Sequence, residues 1–184
     1  CLMPIPLGVL AVAGAGAGGA ASSFDLLETT VLSSSASSVT FSNVNTYTAY
    51  KHLQLRMVVR QSSFSELGLR FNNVSSNSYN THRLAADGST VYSEYRPSGG
   101  GSEDVIRLAF VGTGSNIYNP IVTDILDFSS TSKNTTTRTI SGQNDTSSII
   151  QLASGLFNST NAITSITLLA SFATGSRFSL YGIK

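Results

Sequence analysis

Tryptophan is absent from the sequence, and cysteine occurs once, as Cys1. A single thiol excludes an internal disulfide, so stability has to come from packing or from association with other chains. Charge is scarce as well. Only 11% of the 184 residues are Asp, Glu, Lys or Arg, less than half the usual share of about 25%. The formal net charge is +1 and there is no basic run. Neither nucleic acid nor an anionic membrane is therefore an expected partner. His52 and His82 are the two histidines. With no HxxxH or HExxH spacing and no Cys cluster, no metal centre and no cofactor is expected. No serine sits in a nucleophile elbow. The stretch SGGGS at 98–102 lacks the lysine and the strand–helix context of a phosphate loop and reads as a flexible loop. No segment of helical period with caps reaches three turns.

What fills the sequence is alternation. YKHLQLRMVVR (50–60) places Leu53, Leu55, Met57 and Val59 on one face and mostly polar residues on the other, the pattern of a half-buried strand. SELGLRFN points Leu67, Leu69 and Phe71 inward in the same way. Further strands are expected at 105–112, 120–128, 136–142, 147–157, 162–170 and 176–183, with weaker ones at 24–32 and 38–42. Ser-, Asn- and Gly-rich turns such as NNVSSNS, ADGS and GQNDTSS separate them, supplying positive φ and local side-chain turns. About ten short strands at such spacing imply an all-β fold, an antiparallel β-sandwich of jelly-roll type. The closing SRFSLYGI is expected to present Phe178 and Leu180 to one face and to close a sheet.

Before the strands lies LGVLAVAGAGAGGAA, uncharged up to Asp25. A signal peptide would need a positive n-region. A membrane span needs about 20 apolar residues, but residues 2–21 carry Pro4, Pro6 and five glycines, and Gly costs about 1 kcal/mol per helical site. A lipidated Cys1 would normally be followed by a polar tether, and a disordered tail by charge. The favoured reading is an assembly arm over 1–23, attached to a sandwich domain over 24–184. Its apolar strip is Leu7, Val9, Leu10 and Val12, and AGAGAGG is thin enough to pass between packed chains.

Two groups of residues invite a functional reading. SNSYNTHRLAADGSTVYSEYRPS gathers Tyr79, His82, Arg83, Tyr92, Tyr95 and Arg96 in and around loops. Tyr and Arg are enriched at binding hot spots, so these six are candidates for contact with a host glycan or a protein partner; the bland alternative is rings covering a sandwich end. The second group is acidic: Asp124, Asp127, Glu94, Glu103 and Asp104. A glycoside-cleaving site would need two of them about 5–10 Å apart in a groove. Asp124 and Asp127 fall on opposite faces of a regular strand. Turn capping, or pairing of Asp127 with Lys133 or Arg138, is the more economical role.

The segments MPIPLGVLAVAGAGAG, YKHLQLR, RFNNVSSNSYNTHRL, TDILDFSSTSKNTTTRTISG, SGLFNSTNAITSITLL and SRFSLYGIK together span most of the chain. They resemble a family of small, tail-fibre-like structural proteins of tailed bacteriophages, common in marine and cyanobacterial phages. Cys1 and Leu2 ahead of Met3 depart from that family's usual start. The resemblance implies a non-enzymatic virion component located in the phage particle: a tail-fibre or host-contact subunit, or alternatively a capsid decoration protein. A β-sandwich polysaccharide-degrading enzyme is the more distant alternative. By analogy with fibres and decoration proteins, the expected partners are sister copies in a homotrimer and other tail or capsid proteins, with a host surface glycan as a further candidate. No membrane span is expected.

Overall fold

The computed structural model describes residues 23–98, 103–145 and 148–184. Twelve strands fill them: β1 (Phe24–Val31), β2 (Ala36–Ser42), β3 (His52–Val59), β4 (Ser65–Phe71), β5 (Tyr79–Ala86), β6 (Val91–Arg96), β7 (Ile106–Val111), β8 (Asn119–Leu126), β9 (Thr135–Gln143), β10 (Ile149–Phe157), β11 (Ser165–Phe172) and β12 (Arg177–Ile183). One 3-10 turn, Val44–Thr46, is the single helical element among the described residues. All strand pairs are antiparallel and form two unequal sheets. The larger has the order β1-β12-β3-β8-β9-β10-β5-β6, the smaller β2-β11-β4-β7. The expected all-β sandwich is thus the fold.

The sheets bury the apolar faces read from the alternation. Leu53, Leu55, Met57 and Val59 of β3 meet Leu67, Leu69 and Phe71 of β4 in one core, joined by Phe178 and Leu180 of β12. SRFSLYGI is not the closing strand, however. β1 pairs outside it, so β12 lies between β1 and β3. Two strands went unread, β5 and β6. Their inner-facing positions include Thr81, Arg83, Glu94 and Arg96, and polar residues there hide the alternation.

Because the sheets have eight and four strands, the edge strand β7 of the smaller sheet falls inside the span of the larger one, against β10, β9 and β5. An edge strand carries backbone N–H groups without ladder partners. Inner-face side chains of the larger sheet accept them. The Phe110 N–H donates to Gln151 Oε1 (3.3 Å), the Arg107 N–H to Thr81 Oγ1 (3.0 Å), and the nearby Gly112 N–H to Asn119 Oδ1 (2.9 Å). Gly155 of β10 makes room for this approach, since a Cβ there would sit 2.3 Å from Ile106 Cγ2.

Polar inner positions invert the usual alternation in part of the larger sheet. β9 buries Thr135, Thr137, Thr139, Ser141 and Gln143 on its inner face, while Ile140 points outward. β10 buries Gln151 and exposes Ile150 and Leu152. The outer face of this region is more aliphatic than strand alternation in a free-standing domain requires.

Candidate functional site

The outer face of the larger sheet is hollowed along β10. Register places Leu84 of β5 beside Leu152 of β10, Leu152 beside Ile140 of β9, and Ile140 beside Val122 of β8. Leu84, Leu152 and Ile140 are each at least half exposed. One step along the strands the next row is polar: Tyr95, His82, Ser154, Arg138, Asp124 and Gln54 follow one another across six strands. The aliphatic row and the His82–Asp124 part of the polar row line a trough of about 450 Å³. A smaller hollow of about 320 Å³ continues it past His82 and Ser154 towards Asn80, Thr136 and Leu156.

The polar margin is built from fixed hydrogen bonds. Arg138 Nε donates to Asp124 Oδ2 and Gln54 Nε2 to Asp124 Oδ1, both at 2.7 Å. Arg56 Nε donates to Gln54 Oε1 at 2.7 Å. The Arg56 guanidinium lies over the rings of Tyr181 (4.5 Å) and Phe24 (4.9 Å), a cation–π arrangement that holds its plane. At the opposite margin His82 meets Tyr95 edge to face, with centroids 6.0 Å apart.

The six contact candidates divide. His82 and Tyr95 are outward-facing, on β5 and β6 rather than in loops. Tyr79 is in the core: fully buried, stacked on Phe157 with centroids 5.0 Å apart. Its hydroxyl accepts the Phe71 N–H at 3.0 Å and lies 2.9 Å from the Val74 carbonyl oxygen. Burial pushes its pKa up. Arg83 is 3% exposed and points between the sheets. Tyr92 and Arg96 share its inward side of the hairpin and are half-buried. A loop reading failed here because Tyr79 begins a strand and carries an internal partner for its hydroxyl, and Arg83 has internal carboxylates.

Those carboxylates close a ring. Arg83 bridges Glu66 of β4 (2.6 Å) and Glu94 of β6. Glu66 holds Arg107 of β7 (2.5 Å), Arg107 holds Glu103 (3.1 Å), and Arg96 joins Glu103 (3.7 Å) to Glu94 (2.6 Å). Three glutamates and three arginines alternate, and the ring ties β4 and β7 to β5 and β6. Phe110 stacks beneath Arg83, 4.3 Å from ring centroid to Cζ. Burial alone would raise the Glu94 pKa, but the Arg96 and Arg83 guanidiniums outweigh it and hold it below its ordinary 4.5. For Arg107 burial acts downward, and Glu103 and Glu66 reverse it, raising its pKa. A depressed carboxylate pKa contributes stability above the unfolded value that is lost as pH falls through the folded one. Acid unfolding of the wild-type chain should therefore steepen below pH 4.5, and Glu94→Gln should flatten that limb; an unchanged acid limb in denaturant titrations at successive pH values would refute this.

The remaining acidic candidates, Asp104, Asp124 and Asp127, are also paired. Asp104 meets Arg70, and Asp127 meets Lys133. Of the two partners expected for Asp127, Lys133 takes it and Arg138 goes to Asp124. Lys133 holds the Asp127 pKa down. Asp127 lies just beyond β8 with φ 51°, so the opposite-face geometry of a regular strand does not apply. Its N–H donates to His52 Nδ1 at 2.9 Å. Among the described residues no three His, Cys, Asp or Glu side chains converge to hold a metal, and no helix is long and apolar enough to cross a membrane. Leu7, Val9, Leu10 and Val12 of the expected arm lie outside the described residues.

The residues that make the trough apolar were missed because strand alternation says that two faces exist, not which is inside. TTTRTISG on its own favours burying its one large aliphatic residue, Ile140. Compared with protein-family models, with curated proteins and with solved structures, the chain matches none. The fold defines its class, an all-β sandwich of two unequal antiparallel sheets.

Proposed function

We propose that this chain is a non-enzymatic structural subunit of a tailed-phage particle, a tail-fibre or host-contact component that self-associates and docks through its N-terminal arm. The observation that carries the reading is the aliphatic outer face of the larger sheet, with Leu84, Ile140, Ile150 and Leu152 each at least half exposed. An isolated domain rarely displays a contiguous apolar face; a subunit covered by neighbours does. The sequence resemblance supplies the particle. The trimer rests on analogy with fibre and decoration proteins; closed cyclic symmetry is the usual form of such assemblies. His82 and Tyr95 are the residues retained as candidates for glycan or partner contact.

Asp124, Asp127, Glu94, Glu103 and Asp104 are each engaged by a cation, which favours binding over acid–base hydrolysis. Capsid decoration is the second reading, favoured by the low charge of a surface suited to tiling. Deleting residues 3–21 tests the assembly role. The truncated sandwich should fold and stay soluble yet be missing from purified particles. Copy number of the intact chain then separates the two sites, with hundreds per particle for decoration and a few dozen or fewer for a tail fibre. Normal incorporation of the truncated chain would overturn the arm. Polysaccharide cleavage by the purified protein, abolished by Asp124→Asn, would overturn the non-enzymatic reading.

A further inference from the structure

We infer that the trough on the outer face of the larger sheet is the receptor for the arm of a neighbouring copy, with residues 7–12 of one chain seated over Leu84, Leu152, Ile140 and Val122 of the next. The inference rests on the assembly reading above and adds the partner and its seat.

Three observations lead to this occupant. The first is shape and chemistry. A trough of about 450 Å³ takes a single narrow chain. Two concave faces pressed together would leave a void that costs contact energy. The lining row is aliphatic, which suits Leu7, Val9, Leu10 and Val12 better than the flat face of a sugar, for which aromatic platforms are the usual partner. The polar row beside it offers Ser154, His82 and the Arg138–Asp124 pair to backbone groups of a chain lying alongside, and such groups must be satisfied when covered.

The second is how much chain lies outside the described residues and where it joins. Residues 1–22 precede Ser23, and Phe24 begins β1 at the edge of the same sheet. Residues 13–22 can span about 35 Å at full extension, enough to carry the apolar strip clear of its own subunit.

The third is direction, which favours a neighbour over the same subunit. Phe24 stands opposite Ile183, and Ile183 opposite His52, at one end of the sheet. The trough's aliphatic row is level with Arg56, four residues further along β3. The strand therefore carries its N-terminal side past the end of the sheet, away from its own trough. Reaching that trough from within one subunit would require a reversal and a crossing of five strand spacings, about 24 Å. The connector would be drawn out over most of its length, with much of the entropy of its glycines lost. A neighbour placed ahead of β1 needs no reversal. Repeated from copy to copy, the contact is head-to-tail and closes into a ring when the rotation permits.

The test uses the full chain with Cys1→Ser, carrying Val9→Cys together with Ile140→Cys. A control carries Val9→Cys with Thr40→Cys, on the outer face of the smaller sheet, where Thr40 is exposed. Under mild oxidation the Ile140 pair should give disulfide-linked dimers and higher rings, about tenfold more than the control, because docking raises the local thiol concentration. A product linked within one chain, or cross-linking no greater than the control, overturns the inference. A second measurement guards against a poorly folding cysteine variant. Ile140→Asp should leave the far-ultraviolet dichroism unchanged and shift the sedimenting species to monomer; retention of the wild-type mass overturns the inference. If both measurements fail while deletion of residues 3–21 still blocks incorporation into particles, the arm docks on another virion protein. In that case the trough assignment falls and the assembly reading stands.

Discussion

Replacing Arg83 by alanine is expected to cost the sandwich about 3–5 kcal/mol, the range for breaking a buried ion pair by removing one partner. The side chain is 3% exposed and holds Glu66 and Glu94 at once. Its loss leaves Glu66, itself nearly buried, with Arg107 as its remaining cation partner in the ring, and withdraws the cation from the face of Phe110. It also cuts the link between β5 and β4 that helps hold the two sheets together at this end. Lysine should not rescue it, because one ammonium cannot reproduce the planar fork that serves two carboxylates. Arg83→Met combined with Glu66→Gln should recover part of the loss, since no uncompensated charge is then left inside. Denaturant unfolding of the four chains decides the matter. A cost of Arg83→Ala below about 1 kcal/mol, the level of a surface pair, would mean that the ring is ornamental.

The same arginine shows where sequence reading stops. Apolar alternation located β3, β4 and β12 because their inner faces are Leu, Met, Val and Phe. It passed over β5 and β6, where the inward positions hold Thr81, Arg83, Glu94 and Arg96. The charged side chains are inside because other parts of the fold supply their counter-charges, and Thr81 because it accepts the Arg107 N–H; pairing across the fold leaves no period in either strand. The trough was hidden for a related reason. Part of its polar backing, Gln151 of β10 and Thr81 of β5, answers to the N–H groups of β7, a demand created by the unequal widths of two sheets. Nothing local to TTTRTISG or IIQLAS announces it. Tyr79 and Arg83 looked like contact residues by type, and only the topology separates them from His82 and its cross-strand partner Tyr95, which lie on the outward side of the same hairpin.

Phe157→Ala is expected to be comparably severe, about 3–5 kcal/mol, the usual cost of truncating a buried aromatic ring. Phe157 is 1% exposed and ends β10, where it pairs with Tyr79 on one side and Thr135 on the other. Its ring stacks on Tyr79 and meets Phe71 of the smaller sheet at 5.6 Å, so it joins the two layers directly. Removing it opens a cavity between rings that are held in place. Tyr79 cannot collapse into the gap without surrendering its hydrogen bonds to Phe71 and Val74, and Phe71 is fixed by its ladder to β11. The site relaxes little, which puts the cost towards the upper part of the range. Phe157→Leu keeps most of the volume and should cost well under half as much. The sharpest contrast lies one position from the inward-facing Ala153 and five from Phe157 itself, at Leu152 on the outer face. In the chain lacking residues 3–21, Leu152→Ala should change stability by no more than about 0.5 kcal/mol, as for an exposed site. Urea unfolding with an unchanged slope reads both. A small effect at Phe157, or a large one at Leu152 in that truncated chain, would mean that the inward and outward faces of β10 are the reverse of those described.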